Sequence, residues 1–217
     1  DLALQLTPMA MGYPSPVFMF GFPRSGTTLL DKILDTQAEI KTLSERQTIL
    51  NTIYHLEHVI EKKYPQDLPT LTPDETQQLR EVYFEEVNKY LFAGSESNAT
   101  AKDFIIVDKM PLNTIHIPFL LILFPDAKFI FSLRHPLDCV FSCFQQNFLL
   151  TTENAFLTTL EKNTKRYNAV MQHFECCQKA YTLDIEYLKY EDLVSDIQKE
   201  SRRVFSFINH ENIDDSF

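Results

Sequence analysis

The sequence predicts an α/β fold of the P-loop type: three layers, with a central parallel sheet flanked by helices. Three observations carry this expectation. Short, almost wholly apolar runs recur along the chain and alternate with segments whose apolar residues fall at helical spacing. The runs contain little internal polarity, as strands buried on both faces require, and helices covering both sides of a parallel sheet provide that burial. The first run leads directly into Gly21-x-x-x-x-Gly26-Thr27-Thr28, a glycine frame set between a strand and a helix.

The elements follow in order. Residues 1–15 carry little pattern, with Gly12, Pro14 and Pro16 marking an irregular lead-in or linker. Val17-Phe18-Met19-Phe20 is a buried strand ended by Gly21, and from Thr27 onward Leu29, Leu30, Ile33 and Leu34 mark a helix. A short strand is expected over residues 40–43 and a helix over residues 45–60. Thr72-Pro73-Asp74-Glu75 sets a capping residue, a proline and two acids in the order that opens a helix, expected to run to about residue 91. Further strands are expected at 104–108, 128–133 and 183–190. Helices are expected at 113–124, 136–148, 155–181 and 195–208.

At 217 residues the chain has room for one sizeable α/β domain, placed here at residues 16–217. Its formal net charge of -10 opposes nucleic acid and anionic membrane surfaces as general partners. The longest apolar candidate for a membrane span, residues 115–124, is too short and contains His116 and Pro118. Cys139, Cys143, Cys176 and Cys177 lack the spacing of a zinc site or a disulfide framework, so reduced thiols and a cytoplasmic location are expected. The histidines are scattered, with no metal-ligand pattern. The oligomeric state is left open.

The glycine frame carries the chemistry. Its glycines let backbone amides converge on an anion, and the helix beginning near Thr27 adds its positive dipole end. Two of the chain's 4 glycines lie in this loop, between a strand and a helix, which argues against chance spacing. Thr27 stands where a Walker A loop has its lysine, and the positive charge comes instead from Arg24 within the loop. A guanidinium grips a phosphate or sulfonate through two parallel hydrogen bonds.

Pro23-Arg24-Ser25-Gly26-Thr27-Thr28-Leu29-Leu30 resembles the 5′-phosphosulfate loop of sulfotransferases that use 3′-phosphoadenosine 5′-phosphosulfate (PAPS). The segment from Phe129 through Arg134 to Ser142 is similar to the block that holds the donor's 3′-phosphate in that family. With Asp108-Lys109-Met110-Pro111-Leu112-Asn113 and Leu188-Lys189-Tyr190-Glu191-Asp192-Leu193, these blocks most resemble bacterial sulfotransferases linked to tetratricopeptide repeats, and more distantly protein-tyrosine sulfotransferases. The resemblance implies that Arg24, Ser25, Gly26, Thr27 and Thr28 hold the 5′-phosphosulfate, with Arg24 near the leaving oxygen. It implies that Arg134 and Ser142 hold the 3′-phosphate and that Tyr190 lies near the donor. It makes Glu45 the general base and Lys109 the stabiliser of charge on the transferring group, with no metal. The relatives carry a further segment after the last helix that closes over the adenosine, which residues 16–217 are expected to lack, and Gln146 departs from a basic residue in the tyrosine-sulfating relatives.

Each residue also fits a plainer account. Ser44-Glu45 suits a helix cap and first-turn acid, Lys109 a solvated surface lysine, Arg134 a strand-end charge, Ser142 a helix hydroxyl, and Tyr190 a core aromatic. His135 directly follows Arg134, the wrong place for a histidine base. The acceptor is a hydroxyl of a peptide tyrosine, a carbohydrate or a small phenol, held largely by residues 47–101. Two rivals remain: a P-loop kinase or triphosphatase with Asp108 as metal-binding acid, and a non-catalytic nucleotide-binding interaction module.

Overall fold

The computed structural model describes residues 12–93, 99–146 and 159–208. Five parallel strands, β1 (Val17–Gly21), β2 (Ile40–Ser44), β3 (Ile105–Lys109), β4 (Lys128–Leu133) and β5 (Asp184–Lys189), form one sheet in the order β2-β3-β1-β4-β5. β1 lies at the centre, and all five of its residues are buried. Successive side chains on a strand point to opposite faces, so β1 seeds two cores at once. Phe18 and Phe20 pack on one side with Tyr83, Phe124, Phe129 and Phe131, while Val17 and Met19 pack on the other with Leu30, Ile33, Leu193, Val204 and Phe205. Burying each such large side chain contributes roughly 1.5–3 kcal/mol.

The helices sort onto those faces accordingly. α1 (Thr27–Leu34), α7 (Tyr190–Ser195) and α8 (Ile197–Phe207) contribute to the second core. α2 (Thr48–His58), α3 (Pro73–Phe92), α4 (Ile117–Leu123) and the long α6 (Leu160–Ala180) contribute to the first. α5 (Pro136–Gln145) buries Cys139 and Cys143 in a smaller cluster with Phe22 and Val170. The predicted cap of α3 is a full capping box, with Thr72 and Glu75 each satisfying the other's backbone N–H. A wholly buried arginine, Arg80 on α3, donates to the carbonyls of Ile122 and Leu123, whose α4 end would otherwise leave them without partners.

Four element boundaries differ from expectation, each for a local reason. α2 begins at Thr48, because the turn at Glu45 takes a left-handed backbone (φ 53°) that no helix contains. The helix expected over 113–124 is split: residues Pro111–His116 wind as a 3-10 helix, held by Thr114 Oγ1 to the carbonyls of Gly21 and Pro111, and only then does α4 start. Tyr190 opens α7 instead of ending β5. The segment 195–208 contains the end of α7 and then α8, whose Asp196 cap accepts from the Lys199 N–H. Residues 155–158 of the helix expected at 155–181 lie outside the described residues.

Candidate active site

The parallel sheet brings its carboxyl strand ends to one edge, where open α/β sheets bind ligands. At that edge lies a cleft of about 390 Å³ lined by Pro23, Arg24, Gly26, Thr27, Thr28, Leu29, Glu45, Met110, Pro111, Leu112, Arg134 and Tyr190. Residues that follow the ends of all five strands thus face one space.

The loop between β1 and α1 is tightly wound. The Ser25 N–H closes a turn on the Phe22 carbonyl, and Ser132 Oγ on β4 donates to the Ser25 carbonyl. Two glycines make this winding possible. A Cβ on Gly21 would lie 2.5 Å from the Ser132 carbonyl oxygen, and one on Gly26 would lie 2.5 Å from the Tyr190 ring, where the backbone also has φ 99°. Gly26 caps α1 without any side-chain hydrogen bond, and Thr27 and Thr28, which open the helix, line the cleft. Arg24 itself has φ 72°, an uncommon conformation for a residue with a side chain.

Arg24 connects the two sequence blocks. Its Nε donates to Ser142 Oγ on α5 at 3.1 Å, and its carbonyl accepts from Arg134 Nη1 at 3.2 Å. The Arg134 guanidinium lies 4.7 Å from the centre of the Tyr190 ring, a cation–π contact, and that ring also packs on Gly26. Behind them, Glu191 accepts from the His135 N–H, a bond that holds its carboxyl below the usual range and ties α7 to the end of β4.

Across the cleft, Glu45 and Lys109 are an ion pair at 2.8 Å. Their encounter follows from the register of the sheet: Ser44 on β2 pairs with Lys109 on β3, and the Glu45 N–H donates to the Lys109 carbonyl at 2.8 Å. Lys109 is only 2% exposed, so it is no solvated surface lysine, and Glu45 is neither a helix cap nor a first-turn acid. Asp108, next to Lys109, turns to the other face of the sheet and accepts from Thr48 Oγ1 (2.6 Å) and the Tyr83 hydroxyl (3.2 Å). Burial raises its carboxyl to about 6. It does not line the cleft, where a metal-binding acid would be needed.

The structure therefore gathers Arg24, Gly26, Thr27, Thr28, Glu45, Arg134 and Tyr190 around one space. Ser142 is reached through Arg24, and Lys109 lies behind Glu45. The Ser25 side chain is not in the cleft: the turn curls it inward, and its buried oxygen lies where a Cβ on Gly21 would be 2.9 Å away. Among the described residues of 47–101, expected to form much of the acceptor site, none contributes to this lining; Leu29, Met110, Pro111 and Leu112 form its apolar wall. Sequence reasoning missed that wall, although Met110-Pro111-Leu112 lay inside a block already singled out. It also missed Asp31, a buried acid on the apolar stripe of α1.

Among the described residues, no group of His, Cys, Asp and Glu side chains is arranged to hold a metal ion, and no helix is long and apolar enough to cross a membrane. All four cysteines are free.

Residues 16–215 match the model of a family described as the sulfotransferase family. An uncharacterized protein of Aquifex aeolicus (strain VF5) is 27% identical over 202 residues; the match covers 90% of this chain and 26% of that protein, so the chain spans about a quarter of its relative. Among solved structures, the sulfotransferase domain of the Synechococcus PCC 7002 olefin synthase is similar with a TM-score of 0.60 and 20% identity, over 96% of this chain and 78% of that one. The sulfotransferase STF9 from Mycobacterium avium gives 0.56 and 17%, over 93% and 65%. At these identities the two structures speak for the fold, and the family model, matched over nearly the whole length, establishes that the chain belongs to the sulfotransferase family.

Proposed function

We propose that the chain transfers a sulfonate group from 3′-phosphoadenosine 5′-phosphosulfate to the hydroxyl of an acceptor, leaving 3′-phosphoadenosine 5′-phosphate. The observation that carries this is the convergence of the glycine loop, Arg134, Tyr190 and Glu45 on a single cleft. The chemistry of the donor set fits such a ligand: two guanidiniums, two threonines and an uncapped helix start provide hydrogen-bond donors suited to an anion. When bound, the donor supplies a sulfonate joined through oxygen to phosphate, so that bond breaks as the acceptor oxygen bonds to sulfur.

The chain's own residues hold and assist. The backbone of Gly26, Thr27 and Thr28 grips the 5′ end, with Ser25 supporting the turn. Arg24 neutralises charge gathering on the leaving oxygen, while Arg134 and Ser142 hold the 3′-phosphate and Tyr190 flanks the donor. Glu45 accepts the proton of the acceptor hydroxyl, and Lys109 orients Glu45 and stabilises charge on the transferred group. No metal is part of this scheme. The burial of Asp108 away from the cleft speaks against the kinase or triphosphatase reading. The Glu45 carboxyl, paired with Lys109 and facing the cleft, speaks against a binding module that has abandoned chemistry, since anion binding alone has no use for an acid there.

The apolar wall of Leu29, Met110, Pro111 and Leu112 beside Glu45 favours an acceptor with one hydroxyl on an apolar body, a small phenol or a peptide tyrosine, over a carbohydrate whose many hydroxyls would lack partners. Kinship with the tetratricopeptide-linked and tyrosine-sulfating branches, a cytoplasmic setting for the free thiols, and a sulfotransferase domain over residues 16–217 belong to the same proposal.

Calorimetry tests it. Wild-type protein should bind 3′-phosphoadenosine 5′-phosphate in preference to ATP, and Arg24→Ala should weaken that binding roughly 10- to 100-fold. Preference for ATP, or indifference to Arg24, would refute the sulfotransfer reading.

A further inference from the structure

Behind the Glu45–Lys109 pair lies a third charged group with no role in the scheme above. Asp31, on the buried face of α1 and 1% exposed, accepts a hydrogen bond from Ser44 Oγ and lies 3.9 Å from Lys109 Nζ. Lys109 is thus held between two carboxylates of opposite setting: Asp31 is enclosed, whereas the side chain of Glu45 is 55% exposed and faces the cleft. The second oxygen of Asp31 is buried without a hydrogen-bond partner among the described residues. An enclosed carboxylate left half-satisfied lowers stability, so packing alone gives no reason to keep it.

We propose that Asp31 is a positioning residue, the fixed counter-charge that keeps the Lys109 ammonium buried, charged and aimed at Glu45 through the reaction cycle. The inference rests on the sulfotransfer reading for its catalytic consequence. When Glu45 takes the acceptor's proton it becomes neutral, and Lys109 loses its nearer counter-charge. An ammonium buried without a counter-charge is strongly disfavoured, so Lys109 would withdraw from Glu45 at the moment its charge is needed. Asp31 does not line the cleft, so the acceptor hydroxyl does not meet it and the counter-charge stays beside Lys109. Through Ser44 it also pins the last residue of β2, and hence the turn that carries Glu45. Asp31 lies four residues after Thr27 on α1, so the helix whose first turn meets the donor also carries this counter-charge.

A double-mutant cycle over Asp31→Asn and Lys109→Met tests this, because asparagine keeps the shape and an acceptor for Ser44 while removing the charge. Two readouts are taken on all four proteins. One is the urea midpoint. The other is transfer of radiolabelled sulfonate from 3′-phosphoadenosine 5′-phosphosulfate to a tyrosine peptide, 2-naphthol and glucose, using the best of the three. Asp31→Asn should lower kcat by roughly tenfold with little change in the acceptor KM or in binding of 3′-phosphoadenosine 5′-phosphate, and should have almost no further effect on kcat once Lys109 is methionine. Its loss of stability should likewise vanish or reverse in the Lys109→Met background. A kcat effect that persists undiminished in that background, or a loss confined to stability, would overturn the positioning role. Wild-type protein that binds no 3′-phosphoadenosine 5′-phosphate or sulfonates none of the three acceptors would instead refute the sulfotransfer reading, while the urea cycle still decides whether Asp31 and Lys109 are coupled.

Discussion

The two walls of the cleft are made in different ways. The wall of the glycine loop comes from consecutive residues at one strand-to-helix turn, reinforced by Arg134, just past the end of β4, and Ser142, eight positions later on α5. The wall of Glu45 is assembled from α1, the end of β2 and the end of β3, with Lys109 and Glu45 separated by 64 residues and joined by one strand register. The first wall is local, so it exists as soon as the turn forms. The second is a property of the finished sheet, so it depends on the interior more than on any motif.

The loop wall should therefore govern binding, and the assembled wall should govern turnover and respond to the interior. The largest separation is expected from Glu45→Gln. Turnover should fall about 10²- to 10⁴-fold, while calorimetric affinity for 3′-phosphoadenosine 5′-phosphate stays the same. A comparable loss of affinity would erase the distinction.

Asp108, behind the assembled wall, sharpens it through pH. Burial raises its carboxyl from the ordinary 3.8 to about 6. Between those values the folded chain keeps a proton that the unfolded chain has released, so this group's contribution to stability is lost as pH rises through the window. The loss amounts to roughly 3 kcal/mol. Asp108→Asn should therefore be more stable relative to wild type at pH 7 than at pH 4 in urea unfolding. A constant offset between the two proteins would show that the carboxyl is not held protonated by its surroundings.

The smallest of the three effects is expected at the loop. Gly26→Ala adds a Cβ against the Tyr190 ring at a backbone angle that favours glycine, and should cost about 1–3 kcal/mol of stability. Binding of 3′-phosphoadenosine 5′-phosphate should weaken with it. A variant with wild-type melting temperature and wild-type affinity would mean that the ring moves aside freely and that the loop is less constrained than the structure implies.

What the sequence made legible follows the same division. The alternation of apolar strands with helical patterns led to the sheet and its layers, and Thr72 to Glu75 announced the capping box of α3, because these signals are local. The loop was legible because its glycines, Arg24 and threonines are contiguous. Glu45 and Lys109 were found by resemblance, but their pairing was not, since a register between β2 and β3 leaves no mark in either segment alone. The start of α2 was misjudged because the left-handed turn at Glu45 is imposed by that tertiary pairing against the residue's own preference. Asp31 passed for an ordinary helix residue, since a single acid on an apolar stripe has no signature until the lysine that answers it arrives from another strand.

The central position of β1 has a consequence for how the cleft behaves in time. The strand that launches the loop is flanked by β3 and β4 and contributes to both cores, so its amides are protected by the most deeply enclosed part of the molecule. Fraying from the sheet edges at β2 or β5 leaves β1 paired, and only disruption of the whole sheet frees it. The root of the anion-binding loop is thereby as durable as the fold itself, whereas Glu45 follows an edge strand and shares that strand's freedom. A protein built this way retains its grip on the nucleotide through local openings that would already have dispersed the group expected to take the proton.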